Sequence, residues 1–108
     1  ETSGSYLQTQ KLAPADGAGQ DYFGYSVAVS ADDSTLVVGA SWDNVKGNQT
    51  GSVYIFTKQS DGTYLQTQKL VASDGVGDDY FGGSVAVSNT SLVVGAYNHL
   101  DKGAVYVY

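Results

Sequence analysis

The residues able to move a proton near neutral pH are few. The chain has one histidine, His99, and no cysteine. Asp101 lies two positions beyond His99, but a Ser-His-Asp arrangement needs a placed nucleophile, and no spacing marks one out. The adjacent acids Asp32-Asp33 and Asp78-Asp79 are of the kind that turns carry into water. No catalytic residue is expected, nor any cofactor, and the chain reads as a non-enzyme. Binding is better served. The segment SWDNVKGNQT carries Trp42, Asp43 and Asn44, and YNHLDK carries Tyr97, Asn98 and His99. An aromatic plane beside fixed polar groups is what a sugar or peptide requires, so these six are the candidate ligand residues. The blander readings are that the lone Trp covers a sheet edge and that His99 is solvated.

Metal chemistry would need oxygens in number. The strings Asp16-Gly-Ala-Gly-Gln-Asp21 and Asp74-Gly-Val-Gly-Asp-Asp79 are Gly-rich with flanking acids. Each is similar to one nonapeptide of a calcium-binding β-roll, a fold that needs such units in uninterrupted tandem. Here they occur once per 58 residues, so Asp16, Asp21, Asp74 and Asp79 are weak metal candidates, and turns closed by Asp side chains are the simpler reading. Asn48 and Asn89 fit the glycosylation acceptor pattern, which arises readily in a chain rich in Ser and Thr.

These residues must be held by a small fold. With 108 residues the chain suits one domain. Five Lys, no Arg and eleven acids give a net charge of −6, which opposes a nucleic-acid partner. No apolar run approaches the roughly 20 residues of a membrane-spanning helix, so no membrane insertion is expected. Nine Tyr and three Phe, beside many Val, Ser and Thr, favour strands.

The chain repeats itself. Residues 4–30 recur as 62–88 with 20 of 27 positions identical, LVVGA returns at Leu92–Ala96, and GSVYIF at Gly51–Phe56 returns as GAVYVY at Gly103–Tyr108. The offset shrinks from 58 to 56 to 52. The deletions therefore fall between apolar runs, where loops tolerate them. Each copy, about 4–57 and about 62–108, reads as four short strands: YLQTQKL, SVAVS, LVVGA and the aromatic run after Gly51 or Gly103. Gly24, Gly82, Gly39 and Gly95 stand at matching places, where a missing Cβ permits close approach or a bulge. An all-β fold of two four-stranded antiparallel sheets is expected, eight strands in all.

The order Asp-Tyr-Phe-Gly-x-Ser-Val-Ala, Leu-Val-Val-Gly-Ala, Gly-x-Val-Tyr resembles the FG-GAP repeat of integrin-α-like β-propellers, and it does so twice. The resemblance implies that each copy is one propeller blade, with SVAVS innermost, LVVGA second, the aromatic run third and YLQTQKL outermost. It implies an extracellular or cell-surface setting for a natural chain, and loops joining outer to inner and second to third strands that share one acidic face. It would also place calcium in the loop between inner and second strands. Here that loop reads Ser30-Ala31-Asp32-Asp33-Ser34-Thr35 in one copy and Ser88-Asn89-Thr90-Ser91 in the other, short of the six to eight oxygens calcium takes.

Strand phasing carries the last expectation. The order is outer, inner, second, third, twice over, so only the sheet spanning Ser26–Leu70 is complete. The strand at Tyr6–Leu12 lacks a partner, and Ala104–Tyr108 lacks a neighbour. Two blades cannot close a propeller, which takes about four to eight. Copies joined head to tail would close one, as a homotrimer with six blades or a homotetramer with eight, using Tyr6, Leu7 and Leu12 against Val105, Tyr106 and Val107. The expected function is a self-assembling interaction scaffold, with a carbohydrate-binding lectin and a calcium-dependent adhesion module as alternatives. The near identity of the copies also suits an excised, reconstructed or designed propeller fragment.

Overall fold

The computed structural model describes residues 6–14, 22–42, 50–75, 77 and 79–108. Seven strands run through them: β1 (Phe23–Val29), β2 (Thr35–Ala40), β3 (Ser52–Lys58), β4 (Tyr64–Leu70), β5 (Phe81–Val87), β6 (Leu92–Ala96) and β7 (Ala104–Val107). They form two antiparallel sheets, β1-β2-β3-β4 and β5-β6-β7. The complete first sheet takes its outer strand from the second repeat, as the phasing requires.

Turn chemistry sets the connections. Between β1 and β2 the chain reverses with Ser30 N–H donating to Thr35 O at 2.9 Å and Asp33 in a left-handed conformation, φ 63°. The corresponding β5–β6 reversal is shorter, closed by Ser88 N–H to Ser91 O at 2.9 Å. One of the two sequence deletions lies here. Gln59–Thr63 joins β3 to β4, with Gly62 at φ 87° and Asp61 Oδ1 accepting from Thr63 N–H at 3.0 Å.

The inner strands begin earlier than the SVAVS runs. Phe23 pairs with Ala40 and Ser26 with Gly39, so Gly24 and Tyr25 bulge out between them. In the second copy Phe81 pairs with Ala96 and Ser84 with Gly95. Both bulges need the left-handed region, with Gly24 and Gly82 near φ 92° and Tyr22 and Tyr80 at φ 59°. Repetition of a strained tyrosine at equivalent sites marks a built feature rather than an accident.

The two sheets stack face to face. Val37, Val53, Ile55 and Leu70 of the first pack with Phe81, Val85, Val87, Leu92, Val94, Ala96 and Tyr106 of the second, around Ala72. Phe81 N–H donates to Thr50 O at 2.9 Å across this seam. A second cluster of Val38, Ala40, Tyr54 and Phe56 lies on the far side of the first sheet, and Leu12, Phe23, Leu36 and Tyr64 lean on it.

One expected strand is missing. Tyr6–Leu12 forms no strand, and Tyr6 and Leu7 are 92% and 80% exposed. Its sequence, YLQTQKL, is identical to that of β4. The difference is the partner: β4 has β3 to pair with, from Val53 opposite Leu70 to Lys58 opposite Tyr64, whereas the first copy of the segment pairs its backbone with no strand and reaches the sheet only through side chains such as that of Gln10 on Tyr64. Strand formation in this peptide is decided by pairing, not by intrinsic preference.

Candidate functional site

The loop from β4 to β5 and the loop from β6 to β7 meet at one end of the second sheet. Here a short 3₁₀ turn, His99–Asp101, replaces the plain loop expected, with Leu100 in a left-handed conformation at φ 50°. Lys102 N–H closes it onto His99 O at 2.9 Å. The turn folds the His99 ring inward, against the expectation of a solvated side chain: His99 is 8% exposed and Asp79 is fully buried. Nδ1 of His99 lies 2.7 Å from Oδ2 of Asp79, and Nε2 lies 3.5 Å from Oδ2 of Asp74. Tyr106 Oη donates to Asp74 Oδ1 at 2.6 Å.

A buried carboxylate is costly unless paired, and the imidazole meets that need. The hydrogen bond to Asp79 raises the His99 pKa, against a smaller downward push from burial, and the charges of Asp79 and Asp74 add to the rise. Burial, the bond to Asp74 and the neighbouring acids together hold the Tyr106 phenol protonated far above the usual range. The cluster ties β7 to both loops. Asp74 and Asp79 were weak metal candidates, and they serve here as partners of a phenol and an imidazole; Asp16 and Asp21 lie outside the described residues. Among the described residues no group of three or more acids and histidines is gathered to hold a metal ion.

The donor set of the inner hairpins does not fit calcium. Oδ1 of Asp32 already accepts from Ser30 Oγ at 2.7 Å, Ser34 N–H at 3.0 Å and Ser34 Oγ at 2.7 Å. These bonds, led by those from Ser34, lower its pKa to about 2. The equivalent turn of the second copy carries Asn89 and Thr90 instead of acids.

The aromatic candidates are brought together by two residues that spacing alone does not single out. Trp42 sits 4.7 Å from the Tyr22 ring and 5.9 Å from the Tyr80 ring, and Tyr80 stacks on Tyr97 at 5.1 Å and 13°. The result is a row, Tyr22–Trp42–Tyr80–Tyr97, running from one sheet to the other. Tyr22 and Tyr80 belong to the repeated Asp-Tyr-Phe-Gly string, which was the available signal. Asn98 leads into the 3₁₀ turn and donates from its backbone to Asp79 O at 3.4 Å. Asp43 and Asn44 lie outside the described residues.

Each sheet also has an open face. In β1, Val27 and Val29 are exposed while Ser26 and Ala28 are half-buried; in β5 the parity reverses, with Val85 and Val87 half-buried and Ser84 and Ala86 exposed. The third strands answer this. Val53 is fully buried and Ile55 partly so, yet their counterparts Val105 and Val107 are 67% and 72% exposed. Equivalent residues are buried where a second sheet covers them and bare where none does.

The profile of the FG-GAP repeat matches residues 6–56 and 64–108. A search of the curated proteins found no match. With two stacked antiparallel sheets, each built on the same bulged inner strand, and with both copies matched along most of their length, the chain belongs to the FG-GAP repeat family, whose repeats point to a β-propeller interaction module.

Proposed function

We propose that this chain is a two-blade unit that closes a β-propeller by head-to-tail association with copies of itself, and that the closed ring is a non-enzymatic interaction module. The observation that carries this reading is the reversed burial of equivalent residues. The face bearing Val27 and Val29 is the same surface that β5 uses inside the chain, and the face bearing Val105 and Val107 is the same surface that β3 uses. One chain therefore presents both halves of an interface it already contains once. Repetition of that interface by rotation closes a ring.

The amino-terminal segment supports the same reading. Leu12 packs on the far side of the first sheet as Leu70 packs on the second, the two being equivalent in the repeat. The segment thus starts from the place an outer strand would hold. Gln10 is tied to the Tyr64 backbone, accepting from its N–H and donating to its O at 2.9 Å each. Pairing with β7 of another copy would complete that copy's three-stranded sheet and cover the β7 edge, which otherwise invites aggregation.

Light scattering on the purified chain tests the proposal. A mass three or four times 11.3 kDa is expected, giving six or eight blades, and a monodisperse single-chain particle overturns it.

The aromatic row favours a second reading, carbohydrate binding in the ring by Trp42 and Tyr97 with Tyr22 and Tyr80. Tyr22 and Tyr97 are exposed and Trp42 and Tyr80 half-buried between them, and aromatic planes open to solvent suit the apolar faces of sugars. Glycan-array binding that is lost in Trp42→Ala supports it; binding that survives the substitution rejects it.

A further inference from the structure

We infer that the glycine corner of one copy, at Gly24, seats in a socket on the second blade of the next copy, formed by Ser84, Gly95 and Val105. This rests on the head-to-tail reading and specifies the atoms that make the joint.

The internal seam supplies the pattern. There the bulge at Gly82 presses its backbone onto the first sheet. Ser26 Oγ donates to Gly82 O at 2.8 Å. A Cβ at Gly39 would overlap the Gly82 carbonyl, and a Cβ at Gly82 would crowd Ser52 O and Val53 Cγ2. The knob is a bulged glycine that presents its carbonyl to a hydroxyl on the facing sheet. The socket is a serine hydroxyl, a glycine that leaves room, and a valine wall.

Both parts recur at the open faces, unused. Gly24 has the same left-handed conformation as Gly82, φ 92° against 91°, but a Cβ there would meet nothing within 4 Å. Ser84, Gly95 and Val105 stand where Ser26, Gly39 and Val53 stand in the first copy. A Cβ on Gly95 would meet only atoms of Ser84. Ser84, Ala86, Val93, Gly95 and Val105 line an open depression on that face. Its occupant must offer a bare carbonyl at a corner narrow enough to lie on a glycine, flanked by apolar residues to cover Val105. Gly24 with Val27 beside it offers these.

The joint is heterologous, so one copy's knob meets another copy's socket. That polarity gives a sharp test. Val105→Glu damages only the socket and Val27→Glu only the knob face, and both side chains are exposed in the single chain. Each variant should keep the strand signature in circular dichroism yet run as a single chain of 11.3 kDa by light scattering. Mixed in equal amounts, they should form a complex of two and no larger, because one sound knob and one sound socket remain. Ser84→Ala, which removes one neutral donor, should weaken assembly of the otherwise unchanged chain about fivefold. If the parent chain assembles and Val105→Glu assembles equally well, the socket is wrong while head-to-tail closure stands. A mixture of the variants that stays monomeric also overturns the socket. If the parent chain is itself monomeric, closure fails first.

Discussion

Nδ1 of His99 and Oδ2 of Asp79 lie 2.7 Å apart, buried at one end of the second sheet, and with Asp74 and Tyr106 they fasten β7 to the β4–β5 and β6–β7 loops. The raised histidine pKa has a definite sign for stability. Its contribution is complete below the unfolded value of about 6.5 and is lost as pH rises through the higher folded value. Thermal melts should therefore fall in midpoint as pH is raised from about 6 to about 9. His99→Gln should flatten that slope, and a variant that keeps it would show that the pair is not its source.

Asp32 predicts the opposite limb. Its pKa is lowered to about 2 by the hydroxyls and amide of its own turn, so its contribution is present above the unfolded value of about 3.9 and is lost as pH falls toward 2. Asp32→Asn should be less stable than the parent at pH 6 and show a shallower loss on acidification. Denaturant titrations at several pH values check this.

Glycine at position 39 is required by the seam. Gly39→Ala forces a methyl group into the Gly82 carbonyl and should cost about 1–3 kcal/mol. Gly95→Ala meets only Ser84 within the same chain, closely at its movable Oγ alone, so it should destabilise less. Denaturant unfolding of both in the Val105→Glu background, which the proposed joint would leave as a single chain, makes the comparison direct.

Strand donation in the proposed ring would have a register. Val53 pairs with Leu70 within the chain, so the equivalent pair between copies is Val105 with Leu12. The chain has no cysteine, and a Leu12→Cys, Val105→Cys variant should form disulfides between chains on mild oxidation, since directly opposed Cβ atoms lie within bonding reach. Non-reducing gels should show covalent multimers. Moving the second cysteine to Tyr106 turns it to the other face of the strand and should abolish them.

Much of this fold was written plainly in the chain. The repeat fixed strand order, the deletions marked loops, and the matching glycines marked the bulges and the seam. What could not be read locally depends on contact between distant parts. The heptapeptide at Tyr6–Leu12 carries the same residues as β4, so no local rule distinguishes their fates; only the presence of β3 does. His99 looked solvated because its burial follows from the left-handed Leu100 and from an acid 20 positions earlier in the chain. Trp42 and Tyr97 stood out as aromatics, but the residues that join them, Tyr22 and Tyr80, were hidden in a motif whose glycine and phenylalanine have structural duties.

The duplicated heptapeptide also sets up a competition during folding. Two equal candidates exist for the edge of β3, but one is tethered by only the five residues Gln59–Thr63, so its effective concentration there is far higher than that of any segment from a second molecule. The near copy wins that edge on every chain. The distant copy is left over each time, and in the proposed ring it would be used on the edge of β7, the counterpart of β3. Tether length, rather than any difference in residues, would then direct identical peptides to different jobs, one within the molecule and one between molecules.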